Sequence, residues 1–123
     1  MAIKSKPVSE GGIMRDCMLR ASDLGMLLLR YNVGNFKTVD GRPVKIGTPG
    51  VSDCIGFRSI TVTQDMVGQK VAQFVACEVK AAKGRATDQQ KQFLAVVERA
   101  GGVALIARSA DDVAKIAPLM PGK

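Results

Sequence analysis

The sequence predicts a mixed α/β fold built around one sheet, and three observations carry that prediction. Dense apolar runs of strand length recur at residues 26–31, 74–80 and 103–107. Segments with helical spacing and capping residues precede the first run, separate the last two and follow the third. Asp40 and Gly41, the dipeptide best suited to a tight hairpin turn, sit between two strand-like stretches at 36–39 and 43–46.

Along the chain, residues 1–8 read as a disordered basic lead-in, with Pro7 delaying the first element, and 9–123 as a single domain. Ser9 is placed to cap a helix running to about Ala21, with Glu10 in the first turn, where a negative charge suits the helix dipole. Gly11 and Gly12 weaken that turn by about 1 kcal/mol each. Ile13 and Cys17, with Met14 and Met18 beside them, form a stripe expected to pack on a sheet. Residues 26–31 read as a buried strand, followed by the hairpin. Thr48 to Ser52, with Pro49 and Gly50, forms a loop whose small residues permit close approach of a phosphodiester backbone just before Asp53. Residues 53–57 and 59–63 read as one bent or continuous strand, and 64–69 as a connection with a helical turn.

Residues 74–80 are expected to form the central strand, apolar on both faces apart from Glu78 and Lys80 and therefore covered on each side. A basic loop, Lys83 to Arg85, follows. Thr87 and Gln90 match the capping-box pattern opening a helix to about Ala100, with Phe93, Leu94 and Val97 inward, and Gly101 and Gly102 end it. After the strand at 103–107, Ser109 is placed to cap a last helix over 111–116 that stops before Pro118.

Composition narrows the chemistry. With 123 residues the chain fits one domain. Its apolar stretches fall well short of the ~20 residues that cross a bilayer, and its N-terminus lacks a signal-peptide core, so a cytoplasmic location is the default expectation. Three cysteines without C-x-x-C spacing argue against a disulfide framework and a zinc site, and Cys54 and Cys77 read as small core residues. The absence of histidine removes Ser-His-Asp and Cys-His hydrolases, His-ligated zinc enzymes and nucleases with a histidine base. Eighteen basic against eleven acidic residues give +7, a balance that attracts polyanions. At 4% aromatic with no tryptophan, phosphate contacts are expected over base stacking.

Glu78 and Lys80 lie two apart in F-V-A-C-E-V-K, so on a strand they share a face while Cys77 and Val79 face the other way. An isolated E-x-K is ordinarily an ion pair at a strand end. A further carboxylate, Asp53, stands upstream in G-V-S-D-C-I-G-F. Two carboxylates holding a hard divalent cation beside an ammonium group would give this charged pair a chemical reason to sit in an apolar run.

These motifs, in order, resemble the VRR-NUC nucleases, a branch of the PD-(D/E)XK phosphodiesterase superfamily. The resemblance runs from S-E-G-G-I at Ser9 through R-Y-N-V-G at Arg30, G-T-P-G-V-S-D at Gly47, E-V-K at Glu78 and G-R-A-T-D-Q-Q-K-Q-F at Gly84 to V-A-L-I-A-R-S at Val103. It implies a restriction-endonuclease-like core, a mixed central sheet flanked by helices, of the short stand-alone kind associated with phages and bacteria. By this resemblance Asp53, Glu78 and Lys80 take the positions of the catalytic triplet, Gln90 that of the glutamine on the following helix, and Glu10 that of a first-helix acidic residue. Arg30, Asn32 and Gly34 match an R-x-N-x-G segment. Tyr31 stands where asparagine is frequent, and Gly11 and Gly12 where helix formers are commoner.

The implied activity is hydrolysis of DNA phosphodiester bonds by a Mg2+- or Mn2+-dependent endonuclease. Asp53 and Glu78 would be the anionic ligands, with a backbone carbonyl near Val79, and Lys80 would orient the attacking water and stabilise the transition state. Gln90 has a purely structural use as the capping-box residue beside its active-site reading, and Glu10 likewise as a dipole complement. Asn32 and Gly34 equally suit a strand-ending turn. Lys83, Arg85 and Lys91, with Arg30 and Asn32, are the expected DNA contacts. Similarity to Holliday-junction resolvases implies a branched substrate cut by a homodimer. The competing readings are a non-catalytic DNA-binding or junction-holding module and a sequence-specific restriction-type nuclease.

Overall fold

A computed structural model of the chain describes residues 9–116; the expected lead-in at 1–8 and the stop at Pro118 lie outside the described residues. Helices and strands form a mixed α/β arrangement, and the chain divides into two compact units, Met1–Ser59 and Ile60–Lys123.

In the first unit, α1 (Glu10–Asp23) begins where the sequence places it. The Ser9 hydroxyl accepts from the Gly12 amide at 3.1 Å, supplying one of the partners that a helix start lacks and offsetting the two glycines. The helix packs on β1 (Met26–Arg30) and buries Ala21. β1 pairs antiparallel with β4 (Cys54–Arg58), Met26 opposite Arg58 and Arg30 opposite Cys54. Residues directly opposite in such a pair share a face, so Leu28, Arg30 and Cys54 lie on one side of this two-stranded sheet. β1 is half-buried rather than buried as expected: its sheet has only two strands, with α1 packed on β1.

Between β1 and β4, β2 (Gly34–Lys37) and β3 (Pro43–Ile46) form the expected hairpin, in the register Asn35 opposite Lys45 and Phe36 opposite Val44. Gly41 takes φ +87°, a left-handed value that the turn needs and that glycine adopts without steric cost. Asp40 pairs with Arg42 at 3.0 Å across the tip. After the hairpin the chain returns close to the end of β1. The Thr48 amide donates to the Tyr31 hydroxyl at 2.9 Å, and a Cβ on Gly47 would lie 2.3 Å from the Asn32 carbonyl oxygen, so only glycine fits there.

Residues 59–63 depart from the sequence expectation. The strand ends at Arg58, no ladder includes the next five residues, and Ile60 and Val62 are exposed. Strand-like alternation needs a partner edge to become a strand, and in the first unit the β4 ladder closes with Arg58 opposite Met26. A short 3-10 turn (Gln64–Met66) stands where a helical turn was predicted.

The second unit is a βαβ crossover followed by a helix. β5 (Val75–Val79) and β6 (Val103–Ala107) run parallel, Glu78 level with Ile106 and Val79 with Ala107, connected by α2 (Asp88–Arg99). The Val103 amide donating to Phe74 at 2.8 Å and the Lys80 amide donating to Ala107 at 3.0 Å extend the ladder at each end. α2 lays Phe93, Leu94 and Val97 inward as predicted, and Val97 is fully buried. Ala76, Ala86 and Ala107 complete a small core. α3 (Ala110–Ala114) packs on β6. Ser109 stands at its N-cap but makes no side-chain cap bond; Asp112 instead reaches back to the Arg108 amide at 2.8 Å.

β5 is not the doubly covered central strand that its apolar run suggested. In its own sheet it pairs with β6 alone, and one of its faces, carrying Val75, Cys77 and Val79, is exposed. The reading of Cys77 as a core residue is therefore corrected: periodicity assigns a residue to a face, and packing decides whether that face is covered. Cys54 is half-buried and Cys17 exposed.

Candidate functional site

Each unit carries a cluster of the predicted site residues. In the first, Glu10 is the opening residue of α1 and Asp53 immediately precedes β4. The Asp53 carbonyl accepts from the Tyr31 amide at 2.8 Å, which ties the residue to the end of β1. Glu10 and Asp53 line one cavity of about 450 Å3, together with Ile13, Met14, Cys17, Leu28 and Cys54. The helical stripe read from the sequence is thus one wall of this cavity, and the α1-facing side of the β1–β4 pair is the other. Two exposed carboxylates among the lining residues of a largely apolar hollow offer hard oxygen ligands.

In the second unit, Glu78 and Lys80 project together from β5 and form an ion pair of 3.2 Å. Their side chains are only 27% and 21% exposed, which sets this pair apart from Asp40–Arg42 and Lys115–Asp112, where the cation lies in open solvent. Partial burial strengthens the attraction and keeps the ammonium from being screened by water. Val79, between them, turns its side chain outward at 74% exposed.

Gln90 sits in the capping box: its Oε1 accepts from the Thr87 amide at 2.9 Å while its own amide donates to the Thr87 hydroxyl at 3.1 Å. The structural use of this residue is therefore realised, and its side-chain Nε2 has no partner among the described residues. Lys91, in the next position, is exposed, as are Lys83 and Arg85 in the loop leading from β5 and Arg30 and Asn32 at the end of β1. Tyr31 lies beside them, and its hydrogen bonds with Thr48, side chain first and backbone second, hold the phenol below its ordinary pKa.

Asp53 and Glu10 thus belong to the first unit, and Glu78, Lys80, Gln90 and the basic loop to the second. Among the described residues there is no group of three or more Asp, Glu, Cys or His side chains arranged to hold a metal ion. The predicted ligand set of two carboxylates and one carbonyl is smaller than such a group, and an all-oxygen donor set of this kind suits magnesium or manganese over zinc or copper.

Arg108 was not singled out in the sequence. At the end of β6, its guanidinium donates through Nη1 to the carbonyls of Ala81, Ala82 and Gly84 at 2.6, 3.3 and 2.7 Å. An arginine after a buried strand has no local signature, and its partners lie 24 to 27 residues back along the chain.

No family model, curated protein or solved structure matches the chain. No helix among the described residues is long and apolar enough to cross a membrane.

Proposed function

We propose that this chain is a divalent-metal-dependent endodeoxyribonuclease with a restriction-endonuclease-like core of the VRR-NUC type. The observation that carries the proposal is the half-buried Glu78–Lys80 pair, held on one face of β5 directly before a basic loop and a capped helix. Supporting it are the cavity shared by Glu10 and Asp53, a strand order in which helix, antiparallel strands and a βαβ crossover follow one another, and a charge of +7.

In this reading Asp53, Glu78 and the carbonyl of Val79 would hold Mg2+ or Mn2+, which when bound lowers the pKa of water and neutralises charge on the scissile phosphate. Lys80 has the electrostatic role. Its ammonium is partly dehydrated and anchored by Glu78 at 3.2 Å, so it can orient water and stabilise the developing phosphorane without reorganising. Gln90 holds the start of α2 through its oxygen and offers its Nε2 as a donor to water. Arg30, Asn32, Lys83, Arg85 and Lys91 supply phosphate contacts. The substrate we favour is branched DNA such as a Holliday junction, cut by a homodimer whose two sites match the near-symmetry of the four arms.

The test incubates the purified protein with matched four-way, flap, duplex and single-stranded DNA in Mg2+ or Mn2+, with EDTA as control. Metal-dependent cutting, fastest on the four-way junction, is expected. Binding that persists in EDTA with no cutting under either metal would replace the enzyme with a non-catalytic junction-holding module.

A further inference from the structure

Arg108 departs from the usual pattern of a surface arginine. Its guanidinium is directed not at a carboxylate but at the backbone of the segment that leaves β5, where the carbonyls of Ala81, Ala82 and Gly84 converge on Nη1. Nη1 carries two hydrogens, so the bonds to Ala81 and Gly84, at 2.6 and 2.7 Å, are the full ones and the 3.3 Å approach to Ala82 is a weaker third. The Ala81 carbonyl also accepts from the Gly84 amide at 2.9 Å, closing a tight turn that the guanidinium caps from outside. Arg108 is itself held from below, because its amide donates to Asp112 at 2.8 Å and Asp112 pairs with Lys115 at 3.2 Å.

The clamped segment carries chemistry at both ends. Lys80, the partner of Glu78, precedes it, and Lys83 and Arg85 lie within or just after it. A loop containing a glycine and two exposed cations would otherwise sample many conformations, and each phosphate contact would have to order it anew.

The geometry points to Arg108 as a positioning residue: by gathering the carbonyls of Ala81, Ala82 and Gly84 onto one nitrogen, it presents Lys83 and Arg85 together as a preformed phosphate-binding loop beside Lys80. The inference rests on the DNA-cleaving reading above, and it extends that reading to a residue that acts on DNA only through the loop. A lysine in place of Arg108 retains the charge and three donors, but on a shorter stem and without the planar fork, and restores part of the clamp.

The experiment measures binding of a fluorescein-labelled DNA duplex by anisotropy in EDTA over a series of salt concentrations. Wild type, Arg108→Ala, Arg108→Lys, the Lys83→Ala/Arg85→Ala double variant and the triple variant with Arg108→Ala are compared. Loss of two phosphate contacts lowers the slope of log affinity against log salt by about 1 to 2. We expect Arg108→Ala to lose nearly as much slope as the double variant, Arg108→Lys to lose less, and the triple variant to lose no more than the double. A slope for Arg108→Ala equal to wild type, with or without a lower melting temperature, overturns the inference, as does an additive loss in the triple variant. If Arg108→Ala does not fold, Arg108→Lys decides on the same criterion. Failure of wild type to bind DNA overturns the proposed function and this inference together, whereas normal slopes with no cutting in any metal overturn the nuclease reading alone.

Discussion

Gln90 separates a structural from a chemical use of one side chain, because the two uses fall on different atoms. Its Oε1 accepts from the Thr87 amide at 2.9 Å, and its Nε2 is the donor that the proposed site would turn to water. Replacing Gln90 by alanine leaves the Thr87 amide without its acceptor at the start of α2 while the Thr87 hydroxyl still caps the backbone at position 90. The lost bond is neutral and solvent-accessible, so its cost is about 1 kcal/mol. For a chain of this length that lowers the melting temperature by roughly 3–5 °C. Replacing Gln90 by glutamate keeps an acceptor at the same place and adds a negative charge at a helix N-terminus, so the melting temperature should stay within about 1 °C of wild type. The same substitution removes the amide donor, and the expected consequence is a fall in junction cleavage of about a hundredfold, the scale on which misplaced catalytic geometry is felt. Thermal denaturation followed by circular dichroism, together with single-turnover cleavage of a four-way junction, reads both quantities. A melting temperature unchanged in Gln90→Ala would refute the capping argument. Full cleavage by Gln90→Glu would refute the active-site role and leave the glutamine as a cap only.

Three further outcomes follow from the same geometry. Asp53→Asn and Lys80→Ala should each abolish cleavage while leaving DNA affinity within about threefold, since each removes one charge from a surface with many phosphate contacts; affinity measured in EDTA and cleavage in Mg2+ check this, and cutting by either variant contradicts the assignment. Val97→Ala should cost about 2 kcal/mol, because Val97 is fully buried between α2 and the β5–β6 pair and two methyl groups are lost with a cavity left behind; the urea midpoint reports it. Asp112 is held below the ordinary carboxylate value of 3.8 by its bond from the Arg108 amide first and by Lys115 after it. Its contribution to stability is therefore present above that value and is lost as pH falls through the lower, folded one, so Asp112→Asn should lower stability at neutral pH and change little below the folded value, which flattens the acid limb of a stability–pH profile.

Most of what could be read directly from the chain concerns interactions within four residues. The Ser9 cap, the Thr87–Gln90 capping box, the Asp40–Gly41 turn and the shared face of Glu78 and Lys80 all appear where the residues predict them, because dihedral preferences and i-to-i+3 hydrogen bonds depend on neighbours in sequence. Residues 59–63 show the limit of that reasoning: their alternation suits a strand, but the β4 ladder closes with Arg58 opposite Met26. Cys77 and Val79 show it again, since an apolar run identifies two strand faces without saying which is covered.

The sequence by itself determined the types of element, their order and the short-range constellations, along with the exclusion of histidine chemistry. Tertiary structure alone decided which edges join, that Glu10 at the head of a helix and Asp53 before a later strand open onto one cavity, and that Arg108 grips a loop 24 to 27 residues away. The physical reason is that these contacts lie between residues distant along the chain, which meet only after whole elements pack, and that packing is set by summed burial and ladder pairing over many residues.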